Sequence, residues 1–128
     1  MLKLVAFLSL FILLFTSCGA PMGDQVKSNN LSVFFMESIN REKAILFAEF
    51  WKENGFVGDR EQFIQLDKNN GIIEVKLIER TIYQDENLTI QEEAVLSELS
   101  RTLSKEVFQE PVEIIITDNT FRPLNKFN

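Results

Sequence analysis

The spacing of apolar and polar residues predicts a strand followed by a helix between residues 31 and 55. Residues 31–36 form a short apolar, β-prone run, which we interpret as a strand, with the first turn of a longer helix as the alternative. Asn40 is a suitable N-cap for a helix over residues 41–54, and Gly55 follows at the position that favours a left-handed helix end. At the helical period, this segment has one apolar stripe, formed by Ala44, Phe47, Ala48 and Trp51.

A β-hairpin is predicted after this helix. Residues 61–67 and 72–79 have the composition of strands, and apolar and charged residues alternate at the centre of the second one. Between them, residues 69–71 are Asn-Asn-Gly, whose backbones tolerate positive φ and therefore favour a tight turn.

The remaining sequence predicts a second helix, a final strand and a tail. Thr89 and Glu92 match a capping box, in which the two residues satisfy each other's backbone donors at a helix start. Residues 109–111, Gln-Glu-Pro, end this helix, and residues 112–117 are a β-prone run. Residues 119–128 form the tail. The helix carries an apolar stripe of Leu96, Leu99, Leu103 and Val107, and the tail has Phe121, Leu124 and Phe127 at every third position.

The predicted order of elements is strand, helix, strand, strand, helix, strand. This βαββαβ order is typical of the α+β, ferredoxin-like arrangement, a small antiparallel sheet with two helices on one face. In that arrangement the first and third strands are central, and the second and fourth are edges. If residues 31–36 instead begin the first helix, the order becomes αββαβ on a three-stranded sheet.

More residues are apolar than one buried sheet face requires. Residues 33–36 and 114–116 are apolar on both faces of their strands, whereas a sheet with helices on one side buries one face. Either the tail folds back over the second face, or a partner covers it. The final strand, as an edge, could also pair with a partner's strand. The candidate residues for a partner or ligand surface are Phe34, Leu46, Phe50 and Ile115.

The N-terminal segment has the layout of a secretory signal. Lys3 provides a positive charge, residues 4–15 are almost entirely apolar, and small residues follow at positions 16–19. The apolar run is shorter than the roughly 20 residues that a spanning helix needs. The sequence around Cys18 resembles the lipobox of bacterial lipoproteins, with Phe15 where that pattern prefers leucine. The alternatives are a secretory peptide with an incidental cysteine and an uncleaved membrane anchor.

The lipoprotein resemblance implies a location in the bacterial cell envelope. It implies cleavage before Cys18, a diacylglycerol on the sulfur of this residue and an acyl chain on its amino group, which together anchor stably in a membrane. Gly19, rather than aspartate, implies the outer membrane facing the periplasm. The predicted organisation is a signal peptide over residues 1–17, a lipidated flexible tether over 18–30 and a single α+β domain over 31–128.

Composition excludes several classes of function. The chain has 128 residues and a formal net charge of −6; without residues 1–17, which contain one lysine, 111 residues and a charge of −7 remain. This acidic balance opposes binding to nucleic acid. The sequence has no histidine and only one cysteine, so it provides no disulfide, no Ser-His-Asp triad and no zinc site of the usual ligands. No cofactor-binding motif is present either.

These observations predict a non-catalytic, lipid-anchored interaction module that binds an envelope protein or a second copy of itself, without a metal or cofactor. The alternative is a periplasmic carrier or sensor of a small apolar or acyl ligand. We expect such a ligand between the sheet and the helix that carries Phe47 and Trp51. An enzyme that uses only carboxylates, Tyr83 or lysines is the least favoured interpretation.

Overall fold

A computed structural model describes residues 22–78 and 90–127, apart from the side chains of residues 90–92, 125 and 127. It contains the strands β1 (Asp24–Ser28), β2 (Leu31–Phe35), β3 (Gln62–Asn69), β4 (Ile72–Ile78), β5 (Val112–Thr117) and β6 (Pro123–Phe127), the helices α1 (Arg41–Glu53) and α2 (Ile90–Leu103), and a π-helical turn (Ser104–Phe108) that continues α2.

The six strands form one mixed sheet in the order of the chain. Antiparallel hairpins join β1 to β2, β3 to β4 and β5 to β6, while β2–β3 and β4–β5 are parallel pairs connected through a helix. The predicted ferredoxin-like fold is therefore wrong, and so is the three-stranded alternative, because the sheet is larger and includes parallel pairs. The edges are β1 and β6, so the final predicted strand, β5, has a neighbour on both sides and cannot pair with a partner's strand.

The strand β1 lies within the segment that the sequence assigned to a flexible tether. Its sequence, Asp-Gln-Val-Lys-Ser, lacks an apolar run, and of its side chains only Val26 packs against the core. The strand forms because Asn29, at a φ of 53°, turns the chain back in register with β2. The ion pair between Asp24 and Arg41, at 3.3 Å, also ties it to α1. The sheet therefore includes residues 24–28, which precede the predicted start of the domain at residue 31.

The helix α1 forms where the sequence predicted it. The side-chain oxygen of Asn40 accepts a hydrogen bond from the backbone N–H of Lys43 at 2.9 Å, and Gly55 has the positive φ expected after the helix end. The predicted stripe is buried: Ala44, Phe47, Ala48 and Trp51 all lie in the core.

The helix α2 also presents its predicted stripe to the core. Leu96 and Leu103 are buried, Leu99 is partly buried, and the π-helical turn buries Val107. Gln109 ends the helix with a left-handed backbone, φ 53°. The predicted capping box, with Thr89, falls outside the described residues.

Both helices pack on the same face of the sheet. The ring of Phe47 on α1 lies 6.1 Å from that of Phe108, at the end of the π-helical turn, so the two helices contact each other over the sheet. Beneath them, the register aligns the apolar residues of the covered face: Leu31, Val33, Ile64, Leu66, Val75, Leu77, Ile114 and Ile116. In the part of the chain that the structure describes, no helix has the length and apolar character needed to cross a bilayer.

Candidate functional site

The face of the sheet opposite α1 and α2, hereafter the second face, carries an apolar groove of about 440 Å³. Phe34 on β2 and Phe63 on β3 occupy diagonal positions on this face, and their rings stack at 6.4 Å. Phe121, from the loop between β5 and β6, contacts Phe34 edge-on at 6.2 Å. The groove is lined by Met22, Phe34, Glu61, Phe63, Ile78, Asn119 and Phe121.

The loop after β5 places Phe121 by a set of hydrogen bonds to one carboxylate. The side chain of Asp118 accepts from the hydroxyl of Thr120 at 2.7 Å and from the backbone N–H groups of Thr120 and Arg122 at 2.8 and 2.9 Å. The hydroxyl of Thr120, followed by these backbone donors, lowers the pKa of Asp118 from its usual value, because each bond favours the ionised form. Phe121 itself adopts a φ of 61°, which the loop must hold in place.

The start of the described chain forms another wall of the groove. The side-chain N–H of Gln65, on β3, donates to the backbone carbonyl of Met22 at 3.2 Å. Gly23 follows with a φ of 88° and lies so close to the carbonyl of Phe35 that a Cβ there would be 2.3 Å from its oxygen. The main chain at residues 22–23 is therefore held against β2 and β3. The half-exposed side chain of Met22 lies beside the phenylalanines of the groove.

One charged side chain lies at the rim of the groove. Glu61 is exposed, and its carboxylate makes no ion pair or hydrogen bond with any of the described residues. The amide of Asn119 is the other polar group at the rim. The groove therefore combines an aromatic floor with a single unpaired negative charge.

The other end of the second face is polar but internally satisfied. Glu74 is buried and accepts a hydrogen bond from Asn69 at 2.6 Å, and the ammonium of Lys76 lies 4.0 Å from Glu74 and 3.9 Å from Asp67. Residues 22–78 and 90–127 contain no group of three or more acidic, histidine or cysteine side chains arranged to hold a metal ion. The charged side chains in this half of the second face therefore pair with one another.

A second cleft, of about 920 Å³, opens beside the ends of β2 and β3. Its polar groups include Ser38, whose hydroxyl donates to the carboxylate of Asp67 at 3.1 Å. Gly23, Asp24, Glu37 and Lys68 also line it. Three of its charged residues, Asp24, Asp67 and Lys68, already have partners, so this cleft is the weaker candidate.

The four predicted surface residues do not form one surface. Phe34 lines the groove, as the excess of apolar residues suggested, but Ile115 is fully buried and cannot contact a partner. Leu46 is 46% exposed on α1, whereas Phe50 is partly buried against the core on the same helix. The predicted lipidation residue, Cys18, lies outside the described residues.

Sequence analysis did not assign Met22 and Phe63 to a surface. The position of Phe63 on the second face could have been predicted from the strand alternation. It lies in a predicted strand with Ile64 and Leu66, and its side chain must point away from theirs. Phe121 was assigned to the tail, for which folding back over the second face was one of the two alternatives. The tail instead forms β6, with Phe121 buried over this face and Leu124 half exposed. The side chain of Phe127 is not described.

The predicted ligand position between the sheet and α1 is filled by side chains. Phe47 and Trp51 stack at 5.2 Å, and Phe56 lies 4.6 Å from Trp51. The indole N–H of Trp51 donates to the side chain of Gln62 at 3.0 Å, which satisfies its polar atom. An apolar ligand would therefore have to displace core residues here, and the groove on the second face is the better site.

No family model, curated protein or solved structure matches this chain, so a function must be assigned from its own geometry.

Proposed function

We propose that this protein is a non-catalytic interaction module, anchored in the cell envelope by a lipid on Cys18, that binds an envelope protein through the groove on the second face. The observation that supports binding is the groove itself. Three phenylalanines, Phe34, Phe63 and Phe121, meet on the sheet face that neither α1 nor α2 covers. Aromatic clusters of this kind are typical of protein-binding surfaces.

The groove is better suited to recognition than to catalysis. Acid–base catalysis needs titratable groups placed on both sides of a reacting atom, and Glu61 is the sole ionisable side chain among the described residues that line the groove. The ionisable groups elsewhere on this face, such as Glu74 and Lys76, are paired with each other. Binding an apolar group of a partner requires only an apolar surface, which the groove provides.

The short spacer before β1 supports a function at a membrane surface. Only five residues, 19–23, separate Cys18 from the first residue of β1. Fully extended, this spacer reaches about 20 Å. A lipid on Cys18 would therefore hold the domain against the membrane, rather than on the longer, flexible tether that the sequence predicted.

The anchor is tested by Cys18→Ser in the full chain. We expect loss of palmitate labelling and release of the protein from the membrane fraction. Gly58→Ala is the matched control, since a Cβ at this position meets nothing within 4 Å. Unchanged labelling and fractionation of Cys18→Ser would contradict the anchor.

Binding through the groove is tested by photocrosslinking in cells. A photoreactive phenylalanine analogue replaces Phe63, which is 39% exposed in the groove, or Val95, which is 66% exposed on α2. We expect a discrete crosslinked protein from position 63 and none from position 95. A product of twice the mass of the chain would identify a second copy as the partner. Equal, diffuse labelling from both positions would contradict the proposal.

A small apolar or acyl ligand is the second candidate, and the size of the groove favours it. A volume of about 440 Å³ falls within the range of roughly 300–1,000 Å³ that is usual for small-molecule sites. Mass spectrometry of the native protein, released from membranes, would then show a bound compound of defined mass. Phe63→Glu should remove this compound, and a protein without any bound compound would exclude this candidate.

A further inference from the structure

We propose that the groove binds a basic, amphipathic segment of a protein that is held in the same membrane. This inference rests on the proposed function and adds the chemistry and the position of the partner. Two separate observations lead to it: the charge at the rim of the groove, and the distance between the groove and the anchor.

The charge of the groove favours a cationic partner. Among the described residues that line it, Glu61 is the only charged one, and its carboxylate has no counter-ion in this part of the chain. A lysine or arginine next to an apolar side chain would place its charge at Glu61 while the apolar group contacts Phe34 and Phe63. The net charge of the whole chain, −6, also attracts a basic partner over longer distances.

The described basic residues that are closest to Glu61 and Phe121 in the sequence do not neutralise this site. Arg60 precedes Glu61 in the sequence, but it is exposed and does not line the groove. Arg122 follows Phe121, and its charge lies close enough to the Asp118 carboxylate to lower that group's pKa. Among the described residues, the rim of the groove therefore carries a net negative charge.

The same charge disfavours the anion of a fatty acid. An acyl chain could fill the aromatic floor, but its carboxylate at the rim would meet the carboxylate of Glu61. Like charges in contact at an interface are costly. A cationic peptide with apolar side chains can contact the aromatic floor and also pair with Glu61, whereas a fatty acid can contact only the floor.

The position of Met22 brings the groove close to the membrane. Met22 lines the groove, and Cys18 lies four residues before it, so the two are at most about 14 Å apart along the chain. With a lipid on Cys18, the groove would open within the layer occupied by segments that emerge from the bilayer. Its partner is then a juxtamembrane segment rather than a freely diffusing protein.

The test uses the mature, lipidated chain in nanodiscs of neutral phosphatidylcholine. The probes are two short fluorescent peptides of equal length, one alternating Phe with Lys and the other alternating Phe with Glu. We expect the Lys peptide to bind at least about tenfold more tightly, by fluorescence anisotropy corrected with empty nanodiscs. We also expect Glu61→Gln to reduce this preference and Glu61→Lys to reduce it further, because each change removes negative charge at the rim.

Glu49→Lys, on the exposed surface of α1, is the matched control, because it changes the net charge by the same amount far from the groove. It should leave the preference intact. Equal binding of the two peptides, or an equal effect of Glu49→Lys and Glu61→Lys, would overturn the inference. Displacement of the Lys peptide by palmitate, with no effect of Glu61→Gln, would identify an acyl site instead.

These outcomes are separate from those of the proposed function. If the nanodisc-bound protein crosslinks through position 63 but shows no charge preference, the interaction module stands and the basic partner does not. If Cys18→Ser leaves the protein on the membrane, the anchor is wrong, and the argument from Met22 fails with it.

Discussion

The rings of Phe34, on β2, and Phe121, in the loop after β5, lie 6.2 Å apart, although β3 and β4 separate β2 from β5 in the sheet. Strands are spaced by about 4.8 Å, so β2 and β5 are about 14 Å apart along a flat sheet. The loop that carries Phe121 must therefore lie over the second face. The groove consequently depends on a contact between the N-terminal and C-terminal parts of the fold.

Phe121 is expected to contribute both to stability and to the groove. Its ring is buried, so Phe121→Ala should lower the free energy of unfolding by about 3 kcal/mol. Phe121→Leu retains most of the apolar contact and is the control. Urea unfolding measures the stability, and crosslinking from position 63 measures the groove. Equal stabilities for the alanine and leucine variants would show that the ring does not pack as described.

The loop that holds Phe121 should loosen only in acid. Because hydrogen bonds lower the pKa of Asp118 below its ordinary value of 3.8, the ionised carboxylate stabilises the loop at all pH values above that range. This stabilisation is lost as the pH falls through the lowered pKa of the folded state. NMR signals of Thr120 and Phe121 should therefore be constant from neutral pH to about pH 5 and should shift in stronger acid.

Asp118→Ala is the companion experiment for this loop. It removes the acceptor of three hydrogen bonds, so the signals of Phe121 should already resemble the acid form at neutral pH. A pH-dependent shift that persists in Asp118→Ala would assign the transition to another group.

The burial of Ile115 separates it from the other candidate surface residues. Ile115→Ala should destabilise the protein by about 2–5 kcal/mol, as is typical for a large apolar residue truncated in a core. Leu46→Ala, at an exposed position on α1, should change the stability by less than about 0.5 kcal/mol. Chemical denaturation of the two variants makes the comparison. Similar values for both would contradict the burial of Ile115.

Gly23 is expected to be required for the edge of the sheet. In Gly23→Ala the new Cβ would meet the carbonyl of Phe35 at a positive φ, which costs more than about 1 kcal/mol and displaces Met22 from Gln65. Gly58→Ala, with open space around its Cβ, should be nearly neutral. Hydrogen exchange of β1 amides measures the effect. Equal protection of β1 in the two variants would show that the chain tolerates a side chain at Gly23.

The elements that carry strong local patterns were predictable from the sequence. Asn40 and Gly55 delimit α1, and residues 70–71 make the turn between β3 and β4 with positive φ at both positions. The core stripe of α1 follows directly from the helical period. In each of these cases the residues that define the element are neighbours in the sequence, so local propensity and burial agree.

The edge strands were not predictable, because little of an edge strand is buried. β1 has one partly buried apolar residue in contact with the core, and β6 begins with Pro123, a residue that usually argues against a strand. Both strands exist because they complete hairpins with central strands. Their signal therefore lies in the turn residues, such as Asn29, and not in their own side chains.

The order of the strands also departs from a general rule. When two parallel strand pairs run antiparallel to each other, right-handed crossovers place both helices on one face only if the crossovers advance in opposite directions across the sheet, as in the ferredoxin-like arrangement. Here both crossovers advance in the same direction while β2 and β4 run antiparallel. Since α1 and α2 share one face, the two crossovers have opposite hands. The rule of right-handed crossovers, applied to the sequence alone, therefore predicts the wrong strand order.

The groove was only partly predictable. Phe34 was identified because its strand is apolar on both faces, whereas Phe121 reaches the groove through a left-handed residue and a set of loop hydrogen bonds. Such a contact has no periodicity in the sequence, because it joins residues 87 positions apart.

A sheet whose strands follow the order of the chain has a consequence for how the protein matures. Each strand pairs with the one that precedes it, so the folding chain can add hairpins progressively, without waiting for distant segments. Phe121 arrives with the last hairpin. The groove is therefore completed last, and a product truncated before Phe121 would fold in part without acquiring it.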